Sequence, residues 1–267
     1  MLGVKKRGVY YNEIDPYVAQ WLRNLIAAGH IAAGDVDERS IEDVTPDDIR
    51  NYTQCHFFAG IGVWSYALRR AGWPDDKPVW TGSCPCQPFS AAGQSGGFDD
   101  ERHLWPHFHY LIEKCRPQVV FGEQVASKDG LGWFDLVQAD LEGANYAATA
   151  VDICAAGVGA PHIRQRLYWV GDANDESAQR YRQPSKLILS EGRENAERYA
   201  VSSALAAHVW SSWEANKGAD EKIRIIPACY GSPADGVAGV VGRLRAYGNA
   251  ICAEVAEAFV RAYIEIG

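Results

Sequence analysis

None of the seven cysteines in the 267-residue sequence forms a C-x-x-C pair, and no C-x-x-C…H-x-x-x-H pattern occurs. Structural zinc sites depend on such spacings, so a zinc module is not expected to organise the fold. No apolar run approaches the length that spans a bilayer. The opening residues, MLGVKKRGVYYNEID, are charged and then polar, without an apolar signal core. With an odd cysteine count, the expectation is a reduced, cytosolic protein in which free thiols persist. Positive charge is also scarce: 26 Lys and Arg stand against 34 Asp and Glu, a formal net charge of -8. That balance argues against a coat protein for nucleic acid, but not against an enzyme with a local basic cleft. No internal repeat is visible.

What is present suits an ordinary globular enzyme. A chain of this length that is 47% hydrophobic can bury a full core, as one domain with at most a small appendage. Strand-like segments at 8–15, 54–60, 78–84, 118–125, 146–154 and 164–173 alternate with helical periods at 16–29, 61–72, 103–115, 131–145 and 248–266. A second strand ends at GDV with Asp35 at its tip, and TPDDIRNY (45–52) reads as a short capped helix. Residues 172–226 are polar and irregular, with weak helices such as SALAAHVWSSWEA. Alternating strands and helices predict an α/β fold with a parallel sheet covered on both faces.

Ligands in such sheets bind beyond the carboxyl ends of the strands. Glu13, Asp35, the FAGIG loop (58–62), Cys86 and Glu123 all fall there. Each has a plain alternative. FAGIG is either a loop passing close to a ligand or only a tight turn, since the third glycine of G-x-G-x-x-G is Ser65. Glu13 and Asp35 are ribose-type acceptors or solvated strand-end acids. Cys86 sits in Pro85-Cys86-Gln87-Pro88, where prolines fix the backbone on both sides. It is a held nucleophile, a small buried hydrophobe, or half of a strained redox pair with Cys84. Glu123 is a proton-sharing acid at a buried strand end or a salt-bridged one. Arg164 and Arg166, alternating on a strand, share one face that needs anions, or are charges on an exposed edge strand.

Taken together and in order, FAGIG, PCQPFS, GFDDER, VVFGEQV, RQRLY and GNA before a closing helix resemble the DNA cytosine-5 methyltransferases. The resemblance runs over about residues 8 to 266, apart from 172–226. It implies a Rossmann-like, S-adenosylmethionine-dependent methyltransferase fold. Its catalytic domain would comprise 1–171 plus 227–267, with a small target-recognition region at 172–226.

The resemblance also implies roles. Cys86, not Cys84, would attack C6 of a flipped cytosine, and Glu123, Arg164 and Arg166 would complete the catalytic set. Phe58, Ala59, Gly60, Gly62, Glu13, Asp35, Leu104, Asn249 and Ala250 would line S-adenosylmethionine. Gln87, Ser90, Arg180, Arg182, Lys186 and Arg193 would contact double-stranded DNA. No metal and no membrane would take part, and the protein would act as a monomer in the cytoplasm of a bacterial host cell. SAAGQSGGFDDERH would be the loop that closes over the flipped base. Departures are Gln124 for the family's Asn, His162 for a Gln, His56 for an Asp, and Ala250 for a Ser.

One departure is larger. The ribose and adenine acids precede the glycine loop, whereas in the family they follow it. The second and third strands have moved to the N-terminus. Keeping helix 61–72 in its usual place then requires a left-handed crossover to the Cys86 strand, which is rare; the expectation is that the helix stays, because the glycine loop must present its N-terminus to the cofactor, and a helix on the opposite sheet face would refute it. Competing functions are the same chemistry on RNA, a decayed cofactor- or DNA-binding protein, and a metal or redox protein.

Overall fold

The computed structural model describes residues 7–85, 104–126, 128–160, 163–173, 213–217, 223–227 and 250–266. By compactness the chain divides into two units: Met1–Ile153 with Gln165–Pro184 and Ala250–Gly267, and Cys154–Arg164 with Ser185–Asn249.

The first unit is built on a seven-stranded sheet. Its strands are β1 (Arg7–Asn12), β2 (Gly34–Asp37), β3 (Tyr52–Phe57), β4 (Val79–Gly82), β5 (Val119–Val125), β6 (Ala147–Cys154) and β7 (Gln165–Asp172), in the order β2-β1-β3-β4-β5-β7-β6. The first five are parallel neighbours, and β7 runs antiparallel to β5. The helices are α1 (Pro16–Ala27), α2 (Pro46–Ile49), α3 (Val63–Arg70), α4 (Leu104–Cys115), α5 (Lys128–Gly143) and α6 (Ala253–Ile266). The mostly parallel α/β sheet with helices on both faces agrees with the sequence reading. Among the described residues, no helix is long and apolar enough to cross a membrane.

Local chemistry explains the boundaries nearest the strand ends. Asp15 caps α1 by accepting from the backbone N–H groups of Tyr17 and Val18, and Pro16 supplies a preset first turn. Thr45 and Asp48 form a reciprocal capping box at α2. Gly122 has no room for a side chain, because the Trp169 indole lies directly on it and holds β5 against β7.

Each sheet face has its own helices. Tyr11 of β1 packs with Leu22 of α1 and hydrogen-bonds Ser65 of α3 through its hydroxyl. Trp64 of α3 and Phe259 of α6 both meet Phe121 of β5. That face therefore carries α1, α3 and α6. On the other face, Phe57, Trp80 and Val120 pack with Phe108 and Leu111 of α4, Leu141 of α5, and Ile49 of α2.

This layering fixes the crossover of α3. The connection β1–α1–β2 runs towards one sheet edge, and β3–α3–β4 runs the opposite way, yet both helices lie on the same face. The two crossovers therefore have opposite hands. The connection β4–α4–β5 runs the same way as that of α3 but on the other face, so it shares the hand of α1, as does β2–α2–β3. With those obeying the right-handed rule, α3 forms a left-handed crossover. The displaced strands occupy their expected places at the sheet edge, and helix 61–72 keeps its face.

Three local expectations change. The strand carrying Asp35 continues through Asp37, so Asp35 is its second residue and not its tip. Arg164 precedes β7, which begins at Gln165, so only Arg166 is a strand residue. In the second unit, Trp213–Lys217 is a strand, β8, and not part of a helix. It pairs antiparallel with β9 (Ile223–Pro227), Trp213 opposite Pro227 and Lys217 opposite Ile223.

Candidate active site

Glu123 and Arg166 meet directly. Glu123 lies near the carboxyl end of β5, and the antiparallel register sets Arg166, at the start of β7, opposite Val125. The Arg166 Nε donates to Glu123 Oε1 at 2.9 Å, and the carboxylate's residue is 8% exposed. The carboxylate is buried while the Arg166 side chain is 22% exposed, so the pair is partly shielded from water. A second Arg166 nitrogen donates to the Gln165 carbonyl at 2.7 Å. Gln124, on the opposite face, folds back so that its own Oε1 accepts from the Val125 N–H at 2.9 Å. The extra methylene over Asn is absorbed locally, inside the strand end.

The loop after β3 is shaped for close approach. Phe58, Gly60 and Gly62 have φ of 51°, 53° and 75°. Those values favour glycine and strain the phenylalanine. A side chain on Gly62 would reach Ile31 and Leu22 at about 3 Å, whereas no atom of the described residues lies within 4 Å of a Cβ placed on Gly60. Gly62 is thus a packing glycine, and Gly60 opens onto free space. Glu13 borders that space: its Oε2 accepts from the Gly60 N–H at 2.8 Å and its Oε1 from the Asp15 N–H at 2.9 Å. Burial pushes the Glu13 carboxyl above its ordinary pKa, against those two hydrogen bonds. Ala59 donates its N–H to the Asn12 carbonyl, closing the loop onto β1.

Asp35 stands apart from Glu13. The β1–β2 register sets Asn12 opposite Asp37, and Tyr10 opposite Asp35. Asp37 is therefore level with the strand end, and Asp35 lies two residues back. Tyr52 donates to Asp35 at 2.6 Å, within a surface cavity of about 370 Å³ that also takes in Arg23, Asp37, Arg39 and Asp48. Asp37 accepts from the Tyr10 hydroxyl and from Arg39.

The two neighbouring cysteines can be compared in part. Cys84 is 4% exposed in the hydrophobic core, and burial pushes its thiol far above the ordinary range. It is no nucleophile near neutral pH. Cys86 lies outside the described residues, as do Gln87, Ser90, Arg180, Arg182, Lys186, Arg193 and Asn249. Leu104 opens α4 and packs on the main core, and Ala250 is half-buried before α6. Phe58 sets its ring edge-on to Phe108.

His56 is wholly buried. Its Nδ1 shares a 2.8 Å hydrogen bond with the Thr81 hydroxyl, linking β3 to β4 below the loop. Burial drives its pKa down to about 3, so the ring is neutral near pH 7. Two supporting residues escape a motif search. Asn12 is buried and donates to the Arg39 carbonyl at 2.8 Å, fixing the turn after β2. Ile14, beside Glu13, is 64% exposed. Their signal is faint: an amide before a strand-end acid, and an aliphatic residue between two acids.

A family model described as C-5 cytosine-specific DNA methylase matches residues 2–226. The Type II methyltransferase M.HhaI of Haemophilus parahaemolyticus is 29% identical over 119 residues, 43% of this chain and 36% of that protein. The Type II methyltransferase M.NlaX of Neisseria lactamica is 26% identical over 219 residues, 79% of this chain and 59% of that protein. The chain thus spans about a third to three fifths of the length of these relatives. A solved Spodoptera frugiperda DNMT2 mutant overlays with a TM-score of 0.42 at 18% identity, over 66% of this chain and 44% of that one. The match to the family model covers the glycine loop, the Pro-Cys-Gln segment and the Glu123–Arg166 strands in one stretch, and the chain belongs to the C-5 cytosine-specific DNA methylase family.

Proposed function

We propose that the protein methylates C5 of cytosine in double-stranded DNA, with S-adenosylmethionine as methyl donor and Cys86 as the covalent nucleophile. The observation that carries this reading is the ion pair between buried Glu123 and half-buried Arg166 at the carboxyl ends of the parallel strands, in a chain of this family. Beside it, β4 leads through Ser83, Cys84 and Pro85 into Cys86.

S-adenosylmethionine, when bound, supplies an electrophilic methyl group. The residues present suit it. The open space over Gly60 admits a ligand against the backbone. Glu13 accepts one backbone N–H at each oxygen, and a carboxylate has further acceptor capacity for ribose hydroxyls. Asp35, Leu104, Asn249 and Ala250 belong to the same proposed lining.

The chemistry then falls to the chain. The Cys86 thiolate bonds to C6 of a cytosine flipped out of the stack, and the electron pair of the C5–C6 bond moves to C5. Glu123 faces the N3/N4 edge and shares a proton there, so the ring can take up negative charge. Arg166 orients Glu123 and holds the O2 side, and Arg164 stands two residues before it in the chain. Methyl transfer to C5 would break the donor's S–CH3 bond and release S-adenosylhomocysteine; loss of the C5 proton to a base would then expel the Cys86 thiolate and restore the ring. Cys84, its thiol proton held by burial, does not compete.

Gln87, Ser90, Arg180, Arg182, Lys186 and Arg193 are the proposed DNA contacts, with 172–226 as the target-recognition region and 1–171 plus 227–267 as the catalytic domain. The proposed setting is a monomer in the cytoplasm of a bacterial or phage-infected cell, with or without a restriction partner.

The test is bisulfite sequencing of DNA from cells expressing the protein, beside a Cys86→Ala version. The expected result is methylated cytosine in one short sequence context, absent with Cys86→Ala. Unmethylated DNA from well-folded protein would overturn the DNA reading and favour a binding-only protein or an RNA substrate. Gln124, His162 and His56 motivate the binding-only alternative, and against it stands the joint retention of Cys86, Glu123 and Arg166.

A further inference from the structure

Trp64 touches the chain just after β4 and the two strands, β5 and β7, that carry Glu123 and Arg166. It is the second residue of α3, two positions after Gly62 of the glycine loop, and is 5% exposed. Its Nε1 donates to the Ser83 hydroxyl at 3.0 Å, where the chain leaves β4. Its ring stacks on Phe121 of β5, with centroids 6.1 Å apart and planes 13° apart. The same ring meets Tyr168 of β7 edge-on at 6.0 Å.

Those partners are not arbitrary. Phe121 and Glu123 are two residues apart on one strand, so they share a face. Tyr168 and Arg166 stand in the same relation on β7, and Tyr168 pairs in register with Glu123. The indole therefore underlies the Glu123–Arg166 pair while its N–H pins the β4 exit. An aromatic sandwich is a stiff support, and a buried indole N–H is costly to leave unpaired.

We propose that Trp64 is a positioning residue of this site, fixing Ser83 and the Glu123–Arg166 layer relative to one another; this rests on the methyltransferase reading above. It does not touch the substrate. It holds the groups that do, and it ties them to the cofactor loop through α3. Small misplacements of reacting groups lower rates without lowering affinity.

The experiment uses the full chain as Trp64→Phe, which keeps an aromatic ring and deletes the N–H, as Ser83→Ala, and as the double variant. Four quantities are read: melting temperature, S-adenosylmethionine affinity, single-turnover methyl transfer to DNA, and the rate at which iodoacetamide alkylates Cys86. Each single change is expected to slow methyl transfer about tenfold and to shift the alkylation rate about threefold or more. Cofactor affinity should stay within about twofold, and the double variant should be no worse than either single one, as a shared bond requires. Unchanged rates, losses that multiply in the double variant, or losses that only follow melting temperature would overturn the proposal. If the unsubstituted protein transfers no methyl group to DNA, the methyltransferase reading fails, while the alkylation arm still decides the role of Trp64.

Discussion

His56 stands where the family carries an acid, and its environment decides what it can do. It is 1% exposed between β1 and β4, and desolvation holds its pKa near 3, while the charge of Asp75 pulls weakly the other way. An unfolded histidine protonates near 6.5. Between those values the unfolded chain binds a proton that the native chain refuses. Stability attributable to His56 is therefore present above about pH 6.5 and is lost as pH falls towards 3. The slope approaches about 1.4 kcal/mol per pH unit, which comes to about 2 kcal/mol between pH 7.5 and pH 5. Replacing His56 by Asn, which can still reach the Thr81 hydroxyl, should remove that slope. Urea unfolding of both proteins at pH 7.5 and pH 5 checks it, and equal slopes would refute it. At this scale much of the site was legible. Glu13, Glu123 and Arg166 stand out as strand-end charges in a hydrophobic context. Their partners did not, because the Arg166–Glu123 contact comes from an antiparallel register between distant segments. Asp35 was placed at a strand tip because GDV looks like an end. The strand runs on because Asp37 is satisfied by Tyr10 and Arg39.

At the scale of elements, the FAGIG loop contains two glycines with different duties. Both have positive φ, so alanine at either strains the backbone by about 1–2 kcal/mol. Gly62→Ala also pushes a methyl group towards Ile31 Cδ1 at 2.8 Å and Leu22 Cδ2 at 3.0 Å. It should cost about 2–4 kcal/mol in total, with cofactor affinity changed less than stability. Gly60→Ala meets no atom of the described residues, so its stability loss should stay near the backbone strain alone. Its methyl group projects into the space beside Glu13, and S-adenosylmethionine affinity should fall about tenfold or more, by analogy with other crowded sites. Thermal denaturation and calorimetric titration of both variants separate the two roles. Equal effects on affinity would mean that Gly60 does not face the cofactor. The G-x-G pattern announced a tight loop, but only packing tells which glycine faces protein and which faces open space. The same limit explains Trp213–Lys217. Its helical spacing suggested a helix, whereas pairing with Ile223–Pro227 makes it a strand. A ladder supplied by a second segment overrides a weak local preference.

At the scale of the whole molecule, alternating periodicity points to a parallel α/β sheet, and the shuffled motif order points to two displaced strands with helix 61–72 left in place. The structure bears out that placement and the left-handed α3 crossover it requires. Chain order would favour moving α3 to the other face, where its connection would be right-handed. What opposes the move is a pair of bonds from its first turn: Ser65 to Tyr11 on the α1 side, and Trp64 to Ser83 on the β4 side. Moving the helix would also withdraw Gly60 and Gly62 from Glu13 and Leu22. The site holds the helix, and the helix imposes the unusual hand.

That argument makes a demanding prediction. If the left-handed crossover is tolerated for the site's sake, restoring the usual chain order should leave the fold intact. The amino ends of the relevant strands lie side by side: Arg7 pairs with Tyr52, and Gln54 pairs with Val79. Neighbouring strands are about 5 Å apart, so linkers of three or four residues span the new joins. A chain ordered 52–77, 7–51, 78–267 would connect β3 through α3 to β1, and β2 through α2 to β4. With each helix on its present face, both connections become right-handed. The reordered protein should melt at or above the temperature of the natural chain and bind S-adenosylmethionine within about twofold of it, since no residue of the proposed cofactor lining is cut. Failure to fold would mean that the crossover is itself needed, through the short path from Gly72 to Val79, and that the natural order is more than a rearrangement the sheet has accommodated. Circular dichroism melts and equilibrium cofactor titration decide between these outcomes before any DNA is added.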